Sequence, residues 1–136
     1  MSAVADSGFI VAVANKGDQW HQQCVPIYKQ QRVIYIPQTT LAEVGYLLTK
    51  AGGNSLTVQF LSNLTRTKYQ IVPLETLDIQ RTAELLQQYV NSRVDFVDCT
   101  VATVAERLNI CRILTIDRRD FDILRPKHCT YFEILP

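Results

Sequence analysis

The 136-residue sequence lacks long hydrophobic runs, a marked excess of charge of one sign, and any repeated or low-complexity segment. No apolar stretch approaches the roughly 18 residues that a membrane-spanning helix needs. No basic segment followed by an apolar core marks the N-terminus as a secretory signal, so we expect a cytoplasmic protein without a membrane segment. The net charge of +1 indicates no particular class of partner. A content of 47% hydrophobic and 20% charged residues is typical of one globular domain over residues 1–136.

The chain also has few of the residues that bind zinc. Its four cysteines (Cys24, Cys99, Cys111 and Cys129) form no C-x-x-C pair, and neither of the two histidines accompanies a pair of cysteines. Because structural zinc sites usually combine such pairs at short spacing, no zinc site is predicted. We expect the cysteines to be buried free thiols.

Short apolar runs and longer stretches of helical periodicity alternate along the chain. The short runs predict strands at 3–6, 33–36, 69–74, 112–116 and 130–135. The longer stretches predict helices at 7–14, 18–31, 37–53, 54–67, 77–90 and 94–108. This alternation predicts an α/β fold, a three-layer α/β/α sandwich with a central parallel sheet. Ligands of such folds bind at the carboxyl ends of the strands.

Individual residues set the expected helix boundaries. Asp18 is expected to cap the second helix, and Pro26 is expected to kink it. Pro37 is expected at the start of the third helix and the pair Gly52–Gly53 at its end, because proline suits the first helical turn and glycine suits the end.

Four acids fall where strands end or helices begin. Asp6 ends the first strand and Asp117 ends the strand 112–116, while Glu43 and Asp98 lie in the first turns of helices. Each has a local explanation: Asp6 and Asp117 can cap the turns that follow, Glu43 complements a helix dipole, and Asp98 can form a capping box with Asp95.

The accumulation of these acids also favours a shared site. No Lys or Arg adjoins Asp6, Glu43 or Asp98 in the sequence, and a group of carboxylates repels itself unless a cation lies among them. Oxygen ligands are those that Mg²⁺ and Mn²⁺ prefer. The sequence therefore points to a divalent-metal site at the carboxyl edge of the sheet.

Three segments, in order, carry a family resemblance. They are ADSGFIVAVANKGDQWH (5–21), TTLAEVGYLL (39–48) and VDFVDCTVATVAERLNICRILTIDRRDF (94–121). Together they resemble the PIN domain family, in particular the single-domain prokaryotic kind that includes VapC-type toxins. The resemblance implies a metal-dependent ribonuclease in which the catalytic and metal-binding acids are Asp6, Glu43, Asp98 and Asp117. It also implies that Ser7, Thr115, Asp95 and Asp120 lie beside the direct ligands, with Asp95 mainly a helix cap.

The implied reaction is hydrolysis of an RNA phosphodiester by a water activated by Mg²⁺ or Mn²⁺. The segment 112–127 carries five bases and three acids, and the basic residues expected to hold RNA phosphates are Arg118, Arg119, Arg125 and Lys127. The resemblance further implies a type II toxin, with a cognate antitoxin and a second copy of the chain as partners. The apolar helices within 37–67 are candidates for those contacts.

Other classes of protein explain the acids less well. A response-regulator receiver needs an adjacent acidic pair near the first strand and a late lysine, and a haloacid-dehalogenase-type phosphatase needs D-x-D, whereas Asp6-Ser7-Gly8 supplies neither. The alternative that stays open is a non-catalytic PIN-like module that binds RNA or protein.

Overall fold

The computed structural model describes residues 1–136 and contains one five-stranded sheet. Its strands are β1 (Ser2–Ala5), β2 (Val33–Pro37), β3 (Tyr69–Val72), β4 (Arg112–Leu114) and β5 (Glu133–Leu135). Every pairing is parallel, and the strand order is β3-β2-β1-β4-β5. The chain therefore adds β2 and β3 on one side of β1, and later adds β4 and β5 on the other side. The boundary between β1 and β4 is thus the point where the strand order reverses, where α/β folds usually bind ligands.

Six helices connect the strands. They are α1 (Ser7–Ala14), α2 (His21–Gln30), α3 (Gln38–Ser62), α4 (Thr76–Gln88), α5 (Phe96–Arg107) and α6 (Arg118–Ile123), and a short 3-10 helix covers Leu64–Arg66. No helix combines the length and the apolar character needed to span a membrane.

Two hydrophobic clusters lie on opposite faces of the sheet. In β1, Ala3 and Ala5 pack into the cluster formed with α1, α2 and α3, whereas Val4 packs into the cluster formed with α4, α5 and α6. This alternation follows from the two-residue period of a strand. Phe9 and Phe121 are fully or almost fully buried, one in each cluster. The expected three-layer α/β/α architecture with a central parallel sheet is confirmed.

The long helix α3 contains the break that the glycine pair predicts. Gly52 and Gly53 have non-helical dihedrals, and Gly53 has a φ of +72°, a left-handed conformation that favours glycine. The two helices expected at 37–53 and 54–67 are therefore two halves of α3 that meet at this pair. The second half ends earlier than expected, at Ser62.

Several expected boundaries are wrong. Asp18 does not cap α2: its Oδ1 accepts the N–H of Trp20, and Trp20 occupies the cap position without a side-chain hydrogen bond. Pro37 is both the last residue of β2 and the N-cap of α3, so the helix itself begins one residue later than expected, at Gln38. β4 ends at Leu114, so Thr115 and Asp117 lie in the turn that follows it.

Candidate active site

The ends of β1 and β4 bring Asp6 and Asp117 to the same edge of the sheet. The N–H of Asp6 donates to the carbonyl of Leu114 at 2.9 Å, which continues the pairing of the two strands by one residue. Thr115 contacts both acidic residues. Its Oγ1 donates a hydrogen bond to Asp6 Oδ2 at 3.4 Å and accepts one from the backbone N–H of Asp117 at 3.1 Å. Thr115 Oγ1 thus contacts the side chain of Asp6 and the backbone of Asp117.

Ser7 joins Asp6 to Glu43. The Ser7 N–H donates to Asp6 Oδ1 at 2.8 Å, which makes Asp6 the cap of α1. The Ser7 hydroxyl donates to Glu43 Oε1 at 2.9 Å, although Glu43 lies 36 residues away on α3. One serine therefore fixes carboxylates from two different elements.

α1 closely approaches the turn after β4. A Cβ on Gly8 would lie 2.7 Å from Cγ1 of Ile116, so glycine is what allows this approach. Since Ile116 separates Thr115 from Asp117, the contact helps to hold the first turn of α1 against the turn that carries Asp117.

Asp95 and Asp98 form the capping box that the sequence predicts. The N–H of Asp98 donates to Asp95 Oδ1 at 2.9 Å, and the N–H of Asp95 donates to Asp98 Oδ2 at 3.2 Å. Asp98 is 7% exposed. The cap therefore holds Asp98 at the buried start of α5.

Burial and neighbouring carboxylates oppose ionisation of the central acids. Burial raises the pKa of Asp6 to about 6, and the nearby negative charge of Glu43 also raises it. Burial likewise raises the pKa of Asp98 above its ordinary range, with further increases from the charges of Asp95, Asp120 and Asp6. The charge of Asp6 thus opposes ionisation of Asp98.

The chemistry of these donors suits a divalent cation, although no three of the carboxylates have oxygens within 4.8 Å of one another. Asp6 and Asp98 have no Lys or Arg among the groups that shift their pKa, and the surrounding side chains supply carboxylate and hydroxyl oxygens. Oxygen donors suit Mg²⁺ and Mn²⁺, and a positive charge would offset the repulsion.

Arg93 is a basic residue of the site that the sequence analysis missed. Its Nε forms an ion pair with Asp120 Oδ1 at 2.6 Å, but the N–H does not point at that oxygen and no hydrogen bond forms. Its Nη2 donates a hydrogen bond to Asp117 Oδ2 at 3.2 Å. Arg93 lies in the connection between α4 and α5, only two residues before Asp95. That proximity to the capping box was the one signal in the sequence, because the pairing itself depends on how this connection docks against α6.

The four basic residues expected to contact RNA are dispersed. Arg119 is exposed and pairs with Asp117 at 3.3 Å, beside the acids. Arg118 instead donates to the carbonyls of Ile134 and Pro136. Arg125 donates to carbonyls within its own turn, and the Nζ of Lys127 lies 3.9 Å from Glu84. The structure therefore brings only Arg119 of the four into contact with an acid of the site.

The cysteines differ from the expectation in part. Cys24 and Cys99 are buried free thiols, as expected. Cys111 and Cys129 are free but only partly buried, and His128 lies close to both. The sequence spacing gives no sign of this grouping of one histidine with two cysteines. The fold brings Cys111 close to His128 and Cys129, although they are separated in the sequence by more residues than the short spacings of known zinc motifs.

Comparison with known proteins decides the family. The model of the PIN domain matches residues 3–125 of the chain. The chain belongs to the PIN domain family. The resemblance seen in the sequence is thereby confirmed.

Named relatives of this PIN domain include toxins. Ribonuclease VapC26 of Mycobacterium tuberculosis is 27% identical over 96 residues, 71% of each protein. VapC20 of the same organism, described as a Sarcin–Ricin loop cleaving toxin, has a TM-score of 0.79 at 20% identity and covers 87% of this chain and 92% of its own. A toxin–antitoxin complex from Klebsiella pneumoniae matches with a TM-score of 0.66 at 17% identity, over 90% and 92% of the two chains. The structural matches establish the fold of the PIN domain.

Proposed function

We propose that this PIN domain is a divalent-metal-dependent endoribonuclease that hydrolyses RNA phosphodiester bonds. The observation that carries the proposal is that Ser7 hydrogen-bonds to both Asp6 and Glu43, with Asp98 near enough for the charge of Asp6 to raise its pKa. Carboxylates held this way at the reversal point of a parallel sheet suit phosphoryl chemistry that depends on a divalent ion. The name of the M. tuberculosis relative, a ribonuclease, supports RNA as the substrate.

In this proposal Asp6 and Asp98 are the central ligands of Mg²⁺ or Mn²⁺, and Glu43 and Asp117 complete the site directly or through water. The bound ion supplies an activated water and neutralises the charge that develops on the phosphate. The protein's own contribution is to hold the carboxylates in place. Ser7 orients Glu43, Thr115 contacts Asp6, and Asp95 fixes Asp98 at the start of α5.

Arg119 and Arg93 are proposed to meet the RNA backbone. Both contact Asp117 at the outer side of the acids, and their side chains are 71% and 45% exposed. A phosphate that approaches the carboxylates meets these cations first, which lessens the repulsion between the acids and the RNA. Arg118, Arg125 and Lys127 contact other protein groups instead of the site acids and would contribute through general positive charge.

We further propose that the protein is the toxin of a type II toxin–antitoxin pair that acts on cytoplasmic RNA. The similarity in fold to a toxin in a toxin–antitoxin complex supports this assignment. Three of the exposed large apolar side chains lie on α3: Tyr46, Val58 and Leu61 are 67%, 59% and 49% exposed. They form a candidate contact for the antitoxin or for a second copy of the chain.

The nuclease proposal is tested by incubating the purified protein with cellular RNA in Mg²⁺, in Mn²⁺ and in EDTA. Defined cleavage products are expected with the ions and none with EDTA, and Asp6→Asn is expected to abolish them. A protein that binds RNA but cleaves none in either ion would contradict the proposal and favour the non-catalytic module. Co-expression with the product of an adjacent short reading frame tests the antitoxin, which should suppress cleavage.

A further inference from the structure

A second group of metal-binding side chains lies outside the acidic site. Cys111 immediately precedes β4, and His128 and Cys129 lie between α6 and β5. One ligand atom from each of the three residues lies within 4.8 Å of the other two. Because Cys111 stands at the start of β4 and the acids follow the ends of β1 and β4, the cysteine–histidine group and the acids occupy opposite edges of the sheet.

The backbone around the group is fixed by pairing. The N–H of Glu133 donates to the carbonyl of Cys111 at 2.8 Å, which joins the start of β5 to the residue before β4. His128 Nε2 lies 2.7 Å from the carbonyl of Ile110, and its ring packs edge-on against Phe132 with the ring centres 6.2 Å apart. Cys111 is therefore positioned by strand pairing, and His128 by a hydrogen bond and packing, without an ion.

The distances fit a tetrahedral ion that prefers sulfur. With bonds of about 2.3 Å from zinc to sulfur and about 2.0–2.1 Å from zinc to nitrogen, a tetrahedral site separates the sulfur and the nitrogen by about 3.6 Å. Cys129 Sγ and His128 Nε2 are 3.7 Å apart. Small rotations of the side chains would complete the coordination, with water as the fourth ligand.

We propose that Cys111, His128 and Cys129 form a binding site for a thiophilic metal ion of the Zn²⁺ class. Two thiolates and an imidazole match the ligands that such ions select, and they differ from the oxygen ligands of the acidic site. Binding through Nε2 replaces the contact with the Ile110 carbonyl. The other ring nitrogen, Nδ1, is buried without a hydrogen-bond partner, and coordination at Nε2 leaves it so.

Coordination would give the ion a structural role. The bound ion would join the segment before β5 to the start of β4, so its effect is on stability rather than on RNA cleavage.

The test is a Co²⁺ titration of the full chain, kept reduced so that all four cysteines are free thiols. We expect one equivalent of Co²⁺ to give thiolate-to-metal absorption that Zn²⁺ then removes. Cys111→Ser and Cys129→Ser should each lose most of this signal, whereas Asp98→Asn should retain it. Thermal unfolding of the unmodified protein provides a measurement without substitutions, and Zn²⁺ should raise the Tm relative to EDTA by several degrees.

Three results would overturn the proposal. They are the absence of thiolate absorption with all thiols shown to be free, a signal that survives in both serine variants, and a signal lost in Asp98→Asn. Cys24→Ser is the matched control, because Cys24 is a buried thiol outside the group and its replacement should leave the absorption intact.

Discussion

Asp95 and Asp98 each accept the backbone N–H of the other, so the same two carboxylates begin α5 and bound the candidate metal site. The cap uses Oδ2 of Asp98, and its Oδ1 is not needed for the helix. An asparagine at position 98 keeps an acceptor for the cap and removes the charge. The two functions of Asp98 can therefore be separated by one substitution.

Asp98→Asn should abolish cleavage without unfolding the protein. Loss of groups that only support a metal ligand typically costs 10–100-fold in affinity or activity, so loss of a direct ligand should cost more than about 100-fold. Mn²⁺ binding measured by calorimetry should weaken in parallel, while the Tm should not fall. Asp122→Asn, which changes an exposed acid on α6, is the matched control. Unchanged cleavage by Asp98→Asn would refute the assignment of this residue.

Ser7→Ala should lower activity through Glu43. The substitution removes the hydroxyl that donates to Glu43 Oε1 but keeps the backbone N–H that Asp6 accepts. We expect cleavage to fall by about 10-fold or more, with Mn²⁺ affinity reduced in the same direction. Ser55→Ala, on the exposed side of α3, should change neither quantity. If the two variants behave alike, Ser7 does not position Glu43.

Arg119→Gln should weaken RNA binding more than Arg125→Gln. Arg119 is exposed beside Asp117, whereas Arg125 donates to carbonyls of its own turn. Loss of one phosphate contact with a single strand lowers the slope of log affinity against log salt by about 0.7. Filter binding or fluorescence anisotropy at several salt concentrations, with Asp98→Asn to prevent cleavage, measures this slope. Equal slopes for the two variants would exclude Arg119 as a specific contact.

Arg93 and Asp120 should be energetically coupled. The Asp120 side chain is 12% exposed and lies 2.6 Å from the half-exposed Arg93, so removal of the arginine leaves a mostly buried carboxylate without its cation. A double-mutant cycle of Arg93→Gln and Asp120→Asn should give a coupling of about 0.5–1 kcal/mol in the free energy of unfolding. A second cycle, with Asp122→Asn in place of Asp120→Asn, should give none. A coupling of zero in the first cycle would show that this ion pair does not form in solution.

The stability of the metal-free protein should decrease between about pH 4 and pH 8. The pKa of Asp6, about 6, and the raised pKa of Asp98 are both higher in the folded chain than in the unfolded one. The folded state therefore binds more protons in this range, and the free energy of unfolding falls as pH rises, by on the order of 2 kcal/mol for Asp6 alone. Urea unfolding in EDTA measures this effect.

The pH experiment should be repeated with Mn²⁺ and with the Asp98→Asn variant. Mn²⁺ should restore stability at pH 8, because it compensates the ionised carboxylates, and Asp98→Asn should make the metal-free profile flatter. A profile that rises from pH 5 to pH 8 in EDTA, in the unmodified protein and in Asp98→Asn alike, would contradict the raised pKa values.

Helix-capping rules and the common direction of parallel strands are enough to predict part of the site. The Asp95–Asp98 box follows from a spacing of three residues, and the proximity of Asp6 to Asp117 follows from the parallel sheet. Contacts that depend on docking were not predictable. The pairing of Arg93 with Asp120 requires a particular path of the α4–α5 connection, and the approach of His128 to Cys111 spans 17 residues. The Ser7–Glu43 hydrogen bond was predictable only in part, because the sequence indicates both residues but not the contact between them.

The central position of β1 determines when the acids can meet during synthesis. β1 and Asp6 are made first, but β4 and Asp117 follow more than a hundred residues later. A nascent chain that stops before residue 112 has β1, β2 and β3 but no strand on the other side of β1. Contacts between such distant segments form slowly, because a long loop must close before they are made. The acidic centre therefore assembles only when almost the whole chain is available, so an incomplete chain carries the carboxylates without the arrangement that would make them active.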